Sequence, residues 1–118
     1  MVVPAEIRLN KAERMLHVEF DDASRYSLPA EYLRVESPSA EVQGHGPHQK
    51  QIVPGKRDVA ITRIEPVGNY AVRLVFDDLH DTGIFSWEYL LTLGSEQESR
   101  WSAYLAALAE RGLRREPG

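Results

Sequence analysis

A chain of 118 residues with 42% hydrophobic residues and a formal charge of −4 has the size of one domain and enough apolar content to build a core. It has no cysteine, which excludes disulfides, cysteine nucleophiles and thiolate-held zinc or iron–sulfur clusters within this chain. Acids and bases are interleaved, so there is no basic footprint for nucleic acid, and no run approaches the roughly 20 apolar residues of a membrane span.

The opening MVVPAEIRLNK has neither the basic nor the apolar region of a secretory signal, so the expected compartment is the cytoplasm. Glu6–Asn10 reads as a strand, with Ile7 and Leu9 on one face. Met15–Phe20 alternates more clearly, placing Leu16, Val18 and Phe20 on one side and Met15, His17 and Glu19 on the other. Asp21–Ser24 is a turn, Tyr26 and Leu28 return as the second arm of a hairpin, and Pro29 suits the first position of a short helix over Ala30–Arg34.

Residues 36–56 hold three prolines, three glycines and few apolar anchors (Val42, Ile52 and Val53), and read as a long irregular, mobile loop. β character resumes over Arg57–Ile64, with Val59 and Ile61 on one face. After a turn at Pro66–Asn69 it continues over Tyr70–Phe76, whose apolar residues on both sides mark a central strand. Ser95-Glu96-Gln97-Glu98 has the pattern of a capping box. Trp101, Tyr104, Leu105 and Leu108 then recur at helical spacing up to Gly112, while 114–118 is expected to be loose.

An internal echo runs through the chain. Phe20-Asp21-Asp22 matches Phe76-Asp77-Asp78 at an offset of 56, and Ala30-Glu31-Tyr32-Leu33 matches Trp87-Glu88-Tyr89-Leu90 at 57. The expected fold is therefore a single α+β domain, residues 1–118: β-hairpins sharing a short sheet, short helical turns after the hairpins, and a C-terminal amphipathic helix packed on the sheet.

Candidate chemistry centres on His80, in the acidic turn Asp77–Asp81, where nearby carboxylates would raise the pKa of the imidazole. The plainer expectation is a histidine that hydrogen-bonds across its turn. His45 and His48 could join it around a divalent transition metal. Asp21, Asp22, Asp77 and Asp78 are expected to face water and close turns rather than act as acid/base pairs. Ser37, Ser39 and Ser86 show no base nearby in the chain, His17 is expected to be solvated, and Tyr32 and Tyr89 are expected to be partly exposed and open to a partner.

YSLPAEYLR and VGNYAVRLVFDDLHDTGIFSWEYL, with their spacing, resemble the N-terminal domain of gamma-butyrobetaine and trimethyllysine hydroxylases, a domain that also occurs as stand-alone bacterial proteins of the DUF971 family. The resemblance covers roughly Glu6 to Leu93. It implies a zinc-binding unit remote from the catalytic iron, with three cysteine ligands and the histidine of the second acidic turn. In this chain those positions are Ser37, Ser39, Val42 and His80, so the family's zinc is expected to be absent and no cofactor is expected. Hydroxylase activity does not carry over to a chain that contains only this accessory domain. Attachment of similar domains to ATPases of iron–sulfur cluster delivery implies a non-enzymatic adaptor that binds a protein partner or a second copy of itself. Metal binding by His80 with His45, His48 or nearby carboxylates is the alternative.

Overall fold

A computed structural model describes residues 2–117, the Pro47 side chain excepted. Its first half is an antiparallel meander, β1 (Pro4–Asn10), β2 (Met15–Phe20) and β3 (Arg25–Pro29), paired in that order. In β2, Leu16, Val18 and Phe20 are buried while Met15, His17 and Glu19 on the opposite face are not, as the two-residue period of a strand requires. Pro29 leaves β3 with φ −63° and caps α1 (Ala30–Val35), one position earlier than expected.

Residues 36–60 connect the halves and are less irregular than their composition suggests. They contain α2 (Ala40–Gln43) and one 3-10 turn, Pro47–Gln49. The three expected anchors are all used: Val42 is buried, and Ile52 and Val53 pack with Val35, Tyr104 and Leu108.

The second half repeats the first. β4 (Ile61–Val67), β5 (Ala71–Phe76) and β6 (Gly83–Ser86) form another antiparallel sheet with β5 in the centre, followed by α3 (Trp87–Ser95). Val59 falls outside the strand but is buried all the same. The echo extends to individual bonds. Phe20 N–H donates to Ser24 O and Phe76 N–H to His80 O; Asp21 N–H donates to Val3 O and Asp77 N–H to Ala60 O. Ala23 and Leu79 take the same left-handed turn conformation, φ 71° and 72°.

Two reciprocal bonds join the halves. Tyr32 Oη donates to Leu93 O at 2.7 Å and Tyr89 Oη donates to Glu36 O. Residues 32 and 89, like 36 and 93, stand 57 apart, so each half lends the other the same bond, as in a two-fold pairing. For Tyr32 this corrects the expectation of partial exposure and openness to a partner; Tyr89 keeps the partial exposure expected of it. Tyr32 is 1% exposed, Tyr89 is half-buried, and both hydroxyls are committed to backbone carbonyls. Burial, with Glu36 nearby, raises both phenols, that of Tyr89 to about 12.

The inner faces of both sheets, α1 and α3 form one core, from Leu16, Val18 and Phe20 through Leu33 and Leu74 to Phe85, Leu90 and Leu93. The last helix, α4 (Gln97–Glu110), reaches that core through Trp101, while Tyr104 and Leu108 bury against Val35. Leu105, expected on the same buried face, is 38% exposed. The capping box does not form: Ser95 is the last residue of α3, and its hydroxyl donates to Thr92 O. Glu96 N–H donates to Thr92 O and Glu96 O accepts from Arg100 N–H, so the backbone ladder runs through the junction and leaves α4 fewer amides to cap.

The tail after Gly112, expected to be loose, is attached at a few points. Gly55 N–H donates to Arg114 O, Arg57 N–H donates to Arg115 O, and Arg115 pairs with Glu31.

Candidate functional site

His80 follows the acidic turn that closes β5, where Asp78 Oδ1 accepts from its backbone N–H. Its ring leaves the turn and enters the segment between α1 and α2. Nε2 lies 2.9 Å from Ser37 Oγ, and Nδ1 lies 3.2 Å from Glu41 Oε2. A carboxylate only accepts, so Nδ1 carries the proton; in the neutral ring Nε2 then accepts the Ser37 hydroxyl proton. Ser37 Oγ also accepts from Ser39 N–H at 3.3 Å. Ser39 Oγ caps α2 at Glu41 N–H and meets Thr82 Oγ1, which donates in turn to Glu41 Oε1.

The pKa of His80 is lowered, not raised. Burial is the largest cause and the Arg34 charge adds to it; together they outweigh Glu41 and Asp78, which pull the other way. Glu41 is 64% exposed on its side chain, so water screens its pull on a ring that is itself buried. Asp78 faces Arg34 Nε at 2.8 Å and Lys56 Nζ at 2.7 Å. Burial alone would raise its carboxyl, but the bonds to Lys56 and Arg34 prevail and hold it below the usual range. Asp21, Asp22 and Asp77 are exposed and accept turn or neighbouring backbone amides, as expected of turn residues.

Ser37, His80 and Glu41 thus stand in the order of a nucleophile, its base and an orienting carboxylate. Sequence reading missed this, because Ser37 and His80 are 43 residues apart and no local motif joins them. The one signal was the resemblance, which assigns both positions to a single ligand set. The constellation is closed to substrate. Ser37 is 0% exposed and His80 3%. A Cβ on Gly83 would lie 2.6 Å from Ser37 Oγ, so the space a reacting carbonyl would need is filled by backbone.

The same residues fit zinc poorly. Ser37 and Ser39 offer neutral hydroxyls already bonded within the network, Val42 offers a buried hydrocarbon, and both ring nitrogens of His80 are engaged. His45 and His48 are exposed and do not converge with His80. Among the described residues, no group of three or more His, Asp or Glu is arranged to hold a metal. His17 is half-buried and meets Ser27 Oγ through Nδ1 at 2.9 Å. Among the described residues, no helix is long and apolar enough to cross a membrane.

Two like meanders, each closed by a helix and joined through reciprocal tyrosines, define a small α+β domain with a sealed polar cluster where one half meets the loop between them. The chain belongs to the gamma-butyrobetaine hydroxylase-like N-terminal family, whose model matches residues 7–91. Two relatives known from solution NMR structures are each 46% identical to it. One superposes with a TM-score of 0.86, covering 100% of this chain and 93% of its own; the other has 0.85, covering 99% and 87%. A crystal structure of a protein of unknown function from Acidithiobacillus ferrooxidans ATCC 23270, assigned to the DUF971 family, is 44% identical with a TM-score of 0.67, covering 79% of this chain and 93% of its own. No match was found among curated proteins.

Proposed function

We propose that this chain is a non-enzymatic accessory domain that works by binding another protein, and that Ser37, His80 and Glu41 serve it as a latch. The observation that supports the non-enzymatic part is the complete burial of the Ser37 hydroxyl in a constellation with the order of a catalytic triad. A nucleophile needs room for an incoming carbonyl and donors for the oxyanion. Here that room is taken by Gly83 and the adjoining strand. What the cluster does instead is fasten the segment 37–41 to the second acidic turn, across the boundary between the repeated halves. A setting in metal or iron–sulfur protein assembly is suggested by the family resemblance alone.

A serine-reactive fluorophosphonate probe tests the non-enzymatic part. The expected result is no labelling of Ser37 in the folded protein; stoichiometric labelling there, lost in His80→Ala, overturns it. The binding part is tested by cross-linking in native extract. A partner recovered in fixed stoichiometry is expected, and repeated recovery of none under mild salt counts against the reading.

A further inference from the structure

A cleft of about 690 Å³ opens between α1, the α3–α4 junction and the tail. Its walls include Pro29, Gly94 and the edge-to-face pair Tyr32 and Trp101, whose ring centroids are 6.2 Å apart. Glu31 also lines it, with a side chain only 7% exposed. Arg115 meets that carboxylate with a fork: Nη2 donates to Oε1 at 2.7 Å and Nε to Oε2 at 2.8 Å. The same guanidinium lies over Trp101, with Cζ 5.3 Å from the ring centroid. A bidentate carboxylate and an indole face together suit arginine, whose planar fork lysine lacks.

Burying a carboxylate is costly unless a cation accompanies it. The repeated halves contain Glu31, yet the ion pair it makes among the described residues is with the tail. That tail leaves α4 through Gly112 in the left-handed region, φ +65°, where Leu113 N–H donates back to Leu108 O and closes the helix end. Beyond that cap and Arg115, it is held by the two backbone bonds to Gly55 and Arg57 and by the exposed pair Arg57–Glu116. So few contacts, the ion pair among them exposed, mark a segment that opens locally before the core does. The volume left beside the seated guanidinium is in the range of ligand sites.

We propose that this is an arginine-binding cleft, that Arg115 is its internal occupant, and that an arginine on an exposed segment of a partner protein takes its place. This rests on the reading of the chain as a protein-binding domain and names the anchor its partner presents. A tethered occupant competes at an effective concentration on the order of millimolar, so the intact tail raises the threshold for exchange.

The Arg115→Ala chain is titrated with N-acetyl-arginine amide while the Trp101 indole resonance is followed. A saturable shift is expected, at least tenfold tighter than with N-acetyl-lysine amide, at least tenfold tighter than in the wild type, and lost in Arg115→Ala/Glu31→Gln. A non-saturating response, or equal response to arginine and lysine, overturns the proposal. Should Arg115→Ala not fold, the wild type decides. An arginine-containing tetrapeptide must displace the amide resonances of 113–117, and unmoved tail resonances at tens of millimolar reject the cleft. Sedimentation adds a further arm: a wild-type dimer that becomes monomeric in Arg115→Ala would mean that a second copy's tail is the ligand, and would overturn the partner assignment. If a stoichiometric partner is captured equally by the wild type and Glu31→Gln while no arginine amide binds, the cleft falls and the protein-binding reading stands.

Discussion

Replacing Ser37 by alanine removes one oxygen from the centre of the latch. Ser37 is 0% exposed, and its Oγ lies 2.9 Å from His80 Nε2 and 3.3 Å from Ser39 N. The space left is too small to cost much as a cavity, so the loss is electrostatic: Nε2 is left without a donor in a buried site. An unsatisfied buried polar group costs roughly 1–3 kcal/mol. With about 2 kcal/mol lost and roughly 4 °C per kcal/mol for a domain of this size, the melting temperature should fall by about 8 °C. The pH dependence follows from the lowered pKa of His80. Unfolded, the imidazole takes a proton near its ordinary value of 6.5; folded, it resists until lower pH. The unfolded state therefore binds more protons in that window, and stability is complete above it and falls as pH drops through it. His80→Gln, which cannot titrate there, should flatten the decline between pH 7.5 and 5.5. Thermal melts of the wild type and both variants at the two pH values check this. A Ser37→Ala melting point within 1 °C of wild type, or a His80→Gln profile parallel to the wild-type one, would refute the latch.

Tyr32→Phe and Tyr89→Phe each leave a carbonyl of the opposite half without its phenol donor, Leu93 O and Glu36 O respectively. Each should cost about 1–2 kcal/mol in urea unfolding, and a negligible effect of both would undo the reciprocal pairing. Gly94→Ala would place a Cβ 2.4 Å from the Tyr26 ring. That overpacking should lower the urea midpoint by the equivalent of about 1–3 kcal/mol, whereas an unchanged midpoint would mean the ring can retreat. Asp78 is held below its ordinary value of 3.8, so its contribution is present above that pH and lost as pH falls through the folded value. Asp78→Asn should be less stable than the wild type at pH 7, with the gap closing below pH 4. A gap that persists at acid pH would assign the effect to packing.

Periodicity alone was enough for most of the elements. Leu16, Val18 and Phe20 declare a half-buried strand, and the repeated Phe-Asp-Asp declares a second copy of the same turn, because strand period and turn chemistry act over a few residues. The capping box failed for a local reason on a larger scale: α3 ran on past Gly94 and absorbed Ser95, which no window around Ser95 reveals. Functional residues were harder still. His80 was visible as an oddity in an acidic turn, but its partners Ser37 and Glu41 lie across the connection between the halves. The sign of its pKa shift depended on burial, and burial is a property of the folded chain. Glu31 read as one position in a repeated Glu-Tyr-Leu, and Arg115 as part of a fraying end; only packing brought fork, carboxylate and indole into one cleft. Residue types and spacing determine which elements can form. Which side chains lose water, and against what, is decided when those elements close on one another, and from that come both the latch and the cleft.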